Sequence, residues 1–131
     1  MMTDRNALFP PGAAKPAGPY SPVIVSGGFA FVAGQAALDP ATNEVAGDTI
    51  QQQTRQTLKN IGTLLGAAGC GFGDVVKTHA YITRPEYFQG YNAVYAEFFT
   101  EPYPARTTVV CSLAQPELLV EIDVIARIPG A

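Results

Sequence analysis

Residues 104–126 read PARTTVVCSLAQPELLVEIDVIA, and the fold turns on how they divide. Ala105–Leu113, rich in Thr and Val, has the composition of a strand, and Leu118–Ile128 alternates strictly. Pro116 stands between them and has no N–H for a ladder, so the residues around it form a loop. Side chains along a strand alternate, so Leu118, Val120, Ile122, Val124, Ala126 and Ile128 share one face. Leu119, Glu121, Asp123, Ile125 and Arg127 share the other. The first face packs on a core. The second carries charge on a sheet surface, and Glu121 between Val120 and Ile122 needs a partner if it is buried. Arg106 is the nearest candidate in sequence. From these residues alone a structural ion pair or a solvated strand face accounts for both.

Outward from this stretch the chain alternates sheet and helix signals. Met1–Pro19 holds four prolines and two glycines and reads as an extended arm, 1–17, ahead of one domain, 18–131. Ser21–Ser26 and Phe29–Gly34 flank Gly27-Gly28, a hairpin signal. The segment 39–44 is a turn-rich loop. Asp48, with Gln51 three residues on, is expected to cap a first helix. Its apolar face is Ile50, Thr54, Leu58, Ile61, Leu65 and Ala68, and Gly69 ends it. Asp74–Thr83 reads as a strand with Val75, Lys77, His79 and Tyr81 on one face and Val76, Thr78, Ala80 and Ile82 on the other. Thr83 with Glu86 offers a second capping box with Pro85 in the first turn. Phe88, Tyr91, Tyr95 and Phe98 then form one helical stripe, read as core. The order β-β-α-β-α-β-β predicts a single two-layer α+β domain, a mixed sheet with two helices on one face. Its other face needs a cover.

Composition narrows the function. A chain of 131 residues is one domain, and 47% apolar content suits a packed core. Charged residues make up 15%, the net charge is −3, and the mean hydropathy is +0.12. Such a surface fits association with other subunits. The pI of about 4.9 supplies no field for a phosphate backbone, so no nucleic acid is expected as partner. Cys70, Cys111 and His79 have no metal-ligand spacing, so no metal is expected; a Cys70–Cys111 disulfide is possible on count, but a chain that does not look secreted is expected to keep both thiols reduced. Met1–Pro11 lacks an apolar signal-peptide core and no run is long enough for a membrane, which points to the cytoplasm. The run Gly69–Gly73 follows a helix and has no Gly-Lys-Ser/Thr after it, against a phosphate loop. His79, inside a strand pattern, reads as a packed or interface residue rather than a catalytic one.

Six short motifs, in one order from Gly18 to Ile128, carry a resemblance. They are Gly18-Pro19-Tyr20-Ser21-Pro22, Phe31-Val32-Ala33-Gly34-Gln35, Gln53 to Leu58 with Asn60-Ile61, Gly73 to Lys77, Asn92 to Phe99, and Pro104-Ala105-Arg106 with Val120-Glu121-Ile122. This set resembles the RidA (YjgF) family of imine deaminases. The resemblance implies a chorismate-mutase-like architecture: a homotrimer whose sheets close around a central barrel, with pockets between subunits. It implies hydrolysis of 2-aminoacrylate or related 2-imino acids to 2-keto acids and ammonia, without metal or cofactor. Arg106 is implied to grip the substrate carboxylate with its planar fork. Glu121 is implied to hold or activate water. Tyr20, Thr108, Gly34 and Asn92 are implied to line the pocket, with Tyr20 supplied across a subunit interface. Thr108 occupies a place where many members have cysteine, and Cys111 has the wrong strand parity to replace it. Many members also carry serine where this chain has Ala33. Ala33 has no hydroxyl to offer a substrate amino group.

Three other readings stand beside this one. A non-catalytic or regulatory protein that binds small 2-keto acids would use Arg106 in the same way, and Ala33 favours it. Within the superfamily, the tracts Gly90–Phe99, Pro104–Val109 and Leu118–Ile122 are also similar to 2-aminomuconate deaminases. An endoribonuclease, a name attached to the family, is opposed by the acidic pI and by the absence of a basic patch interleaved with aromatics.

Overall fold

The alternation of the last strand becomes the spine of the molecule. In the computed structural model, which describes residues 4–131, the elements are β1 (Asn6–Leu8), β2 (Val23–Ser26), β3 (Phe29–Ala36), α1 (Ile50–Ala67), β4 (Val75–Ile82), α2 (Phe88–Phe98), β5 (Ala105–Val110) and β6 (Val120–Arg127). The strands form one sheet in the order β1-β2-β3-β6-β4-β5. Every neighbouring pair is antiparallel except β4 and β5, which run parallel with α2 as their crossover. The two helices cover one face. Val120, Ile122, Val124 and Ala126 of β6 are buried beneath them with Leu58, Ile61, Leu65 and Tyr91. Burying such side chains supplies about 1.5–3 kcal/mol each, which is what holds the two layers together.

Residues 1–3 of the expected arm lie outside the described residues; beyond them Asn6–Leu8 adds a sixth strand by pairing with β2, and a turn follows in which Ala13 N donates to Pro10 O. Gly27 and Gly28 make the β2–β3 turn with φ of 60° and 84°, a conformation that costs glycine little. The α1 cap lies one residue later than expected. Thr49 Oγ1 accepts from Gln52 N, while Gln52 Oε1 accepts from the backbone N–H of both Asp48 and Thr49. Gln52 satisfies two donors from that position, which Gln51 does not do. The expected Thr83–Glu86 box is absent. Thr83 N donates to Leu119 O beside β6, and a single 3-10 turn, Pro85–Tyr87, leads into α2 without a side-chain cap. At the start of β4 a register shift between Val75 and Lys77 inverts the expected parity, so Val75 is buried and Val76 exposed. From Lys77 onward the expected faces hold.

Two polar residues of α1 fix the strand ends nearest the candidate site. Buried Gln53 donates to Gly47 O and Glu117 O and accepts from Leu119 N, pinning the entry to β6. Asn60 donates to Ala36 O and Leu38 O, pinning the exit of β3. Cys70 and Cys111 are both free.

Candidate active site

The expected site residues fall into two clusters on opposite faces of the sheet. Arg106 and Thr108 lie on the helix side, since their register partners on β4, Thr78 and Ala80, are buried there. The guanidinium of Arg106 lies 4.8 Å from the ring centroid of Tyr95, 5.1 Å from Tyr91 and 5.7 Å from Phe88. Its Nη1 donates to Asn92 Oδ1 at 2.8 Å. Thr108 Oγ1 shares a hydrogen bond with Tyr91 OH at 3.1 Å, and Thr78 Oγ1 shares one with Tyr95 OH at 2.9 Å. Burial pushes both phenols above the ordinary tyrosine range, with the nearby guanidinium acting against that rise. Of the stripe expected as core, Tyr91 and Tyr95 are buried, Phe98 is partly buried and Phe88 is exposed, so the stripe is core at its centre and cradles the guanidinium toward its exposed end. Cation–π contact and one amide hold the guanidinium in place. Among the described residues Arg106 makes no ion pair. A half-buried guanidinium that has no carboxylate partner among the described residues has the charge and the spare N–H donors to hold an anion.

The second cluster is on the other side. Tyr20, Gly34 and Glu121 line one cavity of about 180 Å³, together with Lys15, Asn43 and Gln115. Glu121 is half-buried, and its register partners are Ala36 on β3 and Tyr81 on β4. Burial raises its carboxyl above the ordinary range, and the neighbouring Asp123 charge raises it further. A group so placed exchanges protons nearer neutrality than a surface carboxylate does. A register shift between Val32 and Gln35 breaks the β3–β6 pairing beside Gly34. Bulges of this kind commonly redirect the chain next to functional groups. Tyr20 is half-exposed, and its hydroxyl accepts from Ala17 N at 3.2 Å.

One expectation is overturned here. Arg106 is not the partner of Glu121 within a chain, because β4 lies between β5 and β6 and the two side chains leave opposite faces. Nor does Arg106 pair with Asp123, whose partner is His79 at 2.7 Å. The rings around Arg106 were legible only as core, although the shared parity of Arg106 and Thr108 was the available signal that both lie under that stripe. The His79–Asp123 pair was foreshadowed only as charge on one strand face.

Gly34 tests the second cluster directly. A Cβ at Gly34 would fall 2.5 Å from Glu121 Oε2 and 3.2 Å from its Cδ. The clash is with the end of a side chain, so it is relieved by moving the carboxylate. Gly34→Ala should therefore keep the fold, with thermal unfolding close to the parent's. Any turnover that depends on Glu121 should fall about 10²-fold, the cost of misplacing a reacting group by about an ångström. Parent-like turnover in a folded Gly34→Ala protein would separate Glu121 from the chemistry.

A two-layer α+β domain with an arginine cradle on one face and a carboxylate cavity on the other defines the class of protein. Comparison with known proteins gives the family. Residues 11–128 match the family described as Endoribonuclease L-PSP. A RutC family protein of Pyrococcus horikoshii is 43% identical over 122 residues, covering 93% of this chain and 97% of that protein. The crystal structure of RidA from the Antarctic bacterium Psychrobacter sp. aligns with a TM-score of 0.88 at 31% identity, over 94% of this chain and 99% of the other. E. coli TdcF with bound serine aligns with a TM-score of 0.85 at 32% identity, over 93% and 98%. The chain belongs to the RidA/RutC (YjgF) family.

Proposed function

We propose that the protein hydrolyses 2-imino acids to 2-keto acids and ammonia, at sites each built from two copies of the chain. The observation that carries this reading is the unpaired, ring-held guanidinium of Arg106, on the face opposite the raised carboxyl of Glu121. Each cluster is half of an imine-hydrolysing site. A second copy of the chain supplies the missing half, and Tyr20, Gly34 and Glu121 of one chain then face Arg106, Asn92 and Thr108 of the next. The open face of the sheet supports such an assembly: Phe31, Val109 and Ile125 lie on it, and among the described residues no helix covers it. The family resemblance implies three copies. The serine bound in TdcF supports a ligand of amino-acid size with a carboxylate.

The chemistry follows from the residues. The substrate carboxylate takes the spare N–H donors of Arg106. Glu121 removes a proton from water as the oxygen adds to the imine carbon, and returns it to nitrogen. Glu121 then takes the hydroxyl proton of the carbinolamine and passes it to nitrogen; the carbonyl forms, the C–N bond breaks, and ammonia leaves with a 2-keto acid. Water is the only co-reactant. No hydroxyl stands at Ala33, so the nitrogen end of the substrate is handled by Glu121 and Tyr20.

The test generates several imino acids in situ with an amino-acid oxidase and traps them with semicarbazide. The protein should speed the loss of the trap signal. Refolding a mixture of Arg106→Ala and Glu121→Gln chains should restore about a quarter of parental activity, because about one interface in four then joins two intact halves. No acceleration with any imine would overturn the enzymatic reading and leave a carboxylate-binding protein. Activity in the parent but none in the mixture would overturn the shared site. An endoribonuclease reading is disfavoured by the net charge of −3, which repels a polyanionic substrate.

A further inference from the structure

The open sheet face holds a second polar cluster beside Glu121 that the proposed reaction does not use. His79 Nδ1 lies 2.7 Å from Asp123 Oδ1, and Tyr81 OH donates to Asp123 Oδ2 at 3.3 Å. All three side chains are half-buried. In the β4–β6 register His79 stands opposite Asp123, and Tyr81 stands opposite Glu121. Tyr81 therefore leans from Glu121's row to Asp123's. The two carboxylates share one face of β6 two residues apart, a spacing of about 7 Å.

The charged and titratable groups around Glu121 come from several elements. From β4 they are Tyr81, His79 and, farther along, Lys77, whose Nζ is held by Thr107 Oγ1 at 3.1 Å. From β6 they are Asp123 and Arg127. Cys111, beyond β5, acts on Tyr81. Lys15 and Tyr20 line the cavity from the N-terminal segment, and β3 contributes the uncharged Gly34, Gln35 and Ala36. Within one chain, Asp123 is the charged group that acts directly on Glu121; in the shared site Arg106 of the next copy also faces Glu121 and favours its charged form, equally in the parent and in variants at Asp123 and His79.

We propose that Asp123, with His79 as its counter-ion and Tyr81 as its anchor, forms a positioning triad that sets the charge on Glu121. The inference rests on Glu121 being the water-handling group only for its functional meaning; the coupling itself does not depend on catalysis. Imidazole is the side chain whose charge ordinarily changes between pH 5 and 8. When His79 is neutral, the Asp123 charge is uncompensated and opposes ionisation of Glu121. When His79 takes up a proton, the pair is neutral and Glu121 holds its negative charge more readily. Protonation of His79 thus resists protonation of Glu121. The base form of Glu121 survives to lower pH than it would beside a lone Asp123.

The signs of the single substitutions are opposite, which a merely structural role does not produce. Carbon-13 NMR of carboxyl-labelled glutamate reads Glu121, assigned by the signal lost in Glu121→Gln. Asp123→Asn should lower the Glu121 midpoint by about 0.5–1 pH unit, the scale of a like charge about 7 Å away on a half-exposed face. His79→Gln should raise it, and should have less than half that effect once Asp123 is Asn. The chain's single histidine gives a reciprocal reading. By linkage, Glu121→Gln should lower the His79 ring midpoint by the amount that His79 moves Glu121. This arm needs neither Asp123 variant to fold. Shifts of the same sign for Asp123→Asn and His79→Gln would overturn the proposal, and so would an unmoved His79 in Glu121→Gln. Because the readout is titration and not turnover, coupling without deaminase activity would count against the proposed function alone. Deaminase activity without coupling would count against this inference alone.

Discussion

Glu121→Gln should lower imine-hydrolysis turnover by about 10²-fold or more, the usual scale for losing a general acid–base group. Glutamine keeps the size of the side chain and most of its hydrogen bonding. It loses the basicity that lets one group take a proton from water and pass it to nitrogen. The parent's turnover should fall on the acid side as Glu121 becomes protonated. Burial first, and Asp123 second, raise that carboxyl, so the acid limb should lie above the ordinary carboxylate range and vanish in the variant. Stability should move the other way. A carboxyl raised in the folded state above its unfolded value favours the native state when protonated, and that advantage fades as pH rises through the folded value. Glutamine carries no charge to disfavour, so the variant should be as stable as the parent at pH 8, or more so. Denaturant titration and the oxidase-coupled assay, run on the same preparation, read both effects. Full turnover in a folded Glu121→Gln protein would assign the water to another group.

The elements with strong local signals were legible in the sequence, and the pairings between them were not. The period of two along Leu118–Ile128 determines both faces of β6, because each side chain there is plainly apolar or plainly charged. Helical spacing likewise places Ile50, Thr54, Leu58, Ile61 and Leu65 on the buried face of α1, but Ala68 lies just past the helix, and Gln53, Thr57 and Leu64 are buried without having been read from it. What local pattern does not contain is the insertion of β4 between β5 and β6. That order depends on non-local pairing and on the crossover through α2. It decides which sheet face Arg106 shares with which residue, so nearness in sequence misplaced it beside Glu121. The bulge at Val75 and the shift of the α1 cap to Thr49 are smaller cases of tertiary fit outweighing a local rule. The stripe of α2 shows the same limit. Phe88, Tyr91 and Tyr95 have the spacing of a core face, and helical spacing cannot tell that an arginine from a strand packs among the rings.

Arg106→Ala should abolish measurable binding of a stable 2-keto acid such as pyruvate or 2-oxobutyrate. The guanidinium is held by three rings and by Asn92, with no protein carboxylate to neutralise it. The ligand's carboxylate is thus its natural counter-charge, in a pocket where water competes less than on an open surface. Removing one member of such a pair costs about 2–5 kcal/mol, or about 30-fold or more in affinity. Arg106→Lys keeps the charge but loses the planar fork and its stacking on Tyr91 and Tyr95, so it should fall between the two. Asn92→Ala should weaken binding less than Arg106→Ala, because it frees the guanidinium to turn without deleting it. Titration calorimetry on folded proteins of unchanged oligomeric state should rank affinity as parent, then Lys, then Ala. Retention of parent-like affinity in Arg106→Ala would remove the carboxylate site from this face. The guanidinium would then be a packing element, covering the aromatic stripe of α2 at the edge of the sheet where β5 has no further strand beside it.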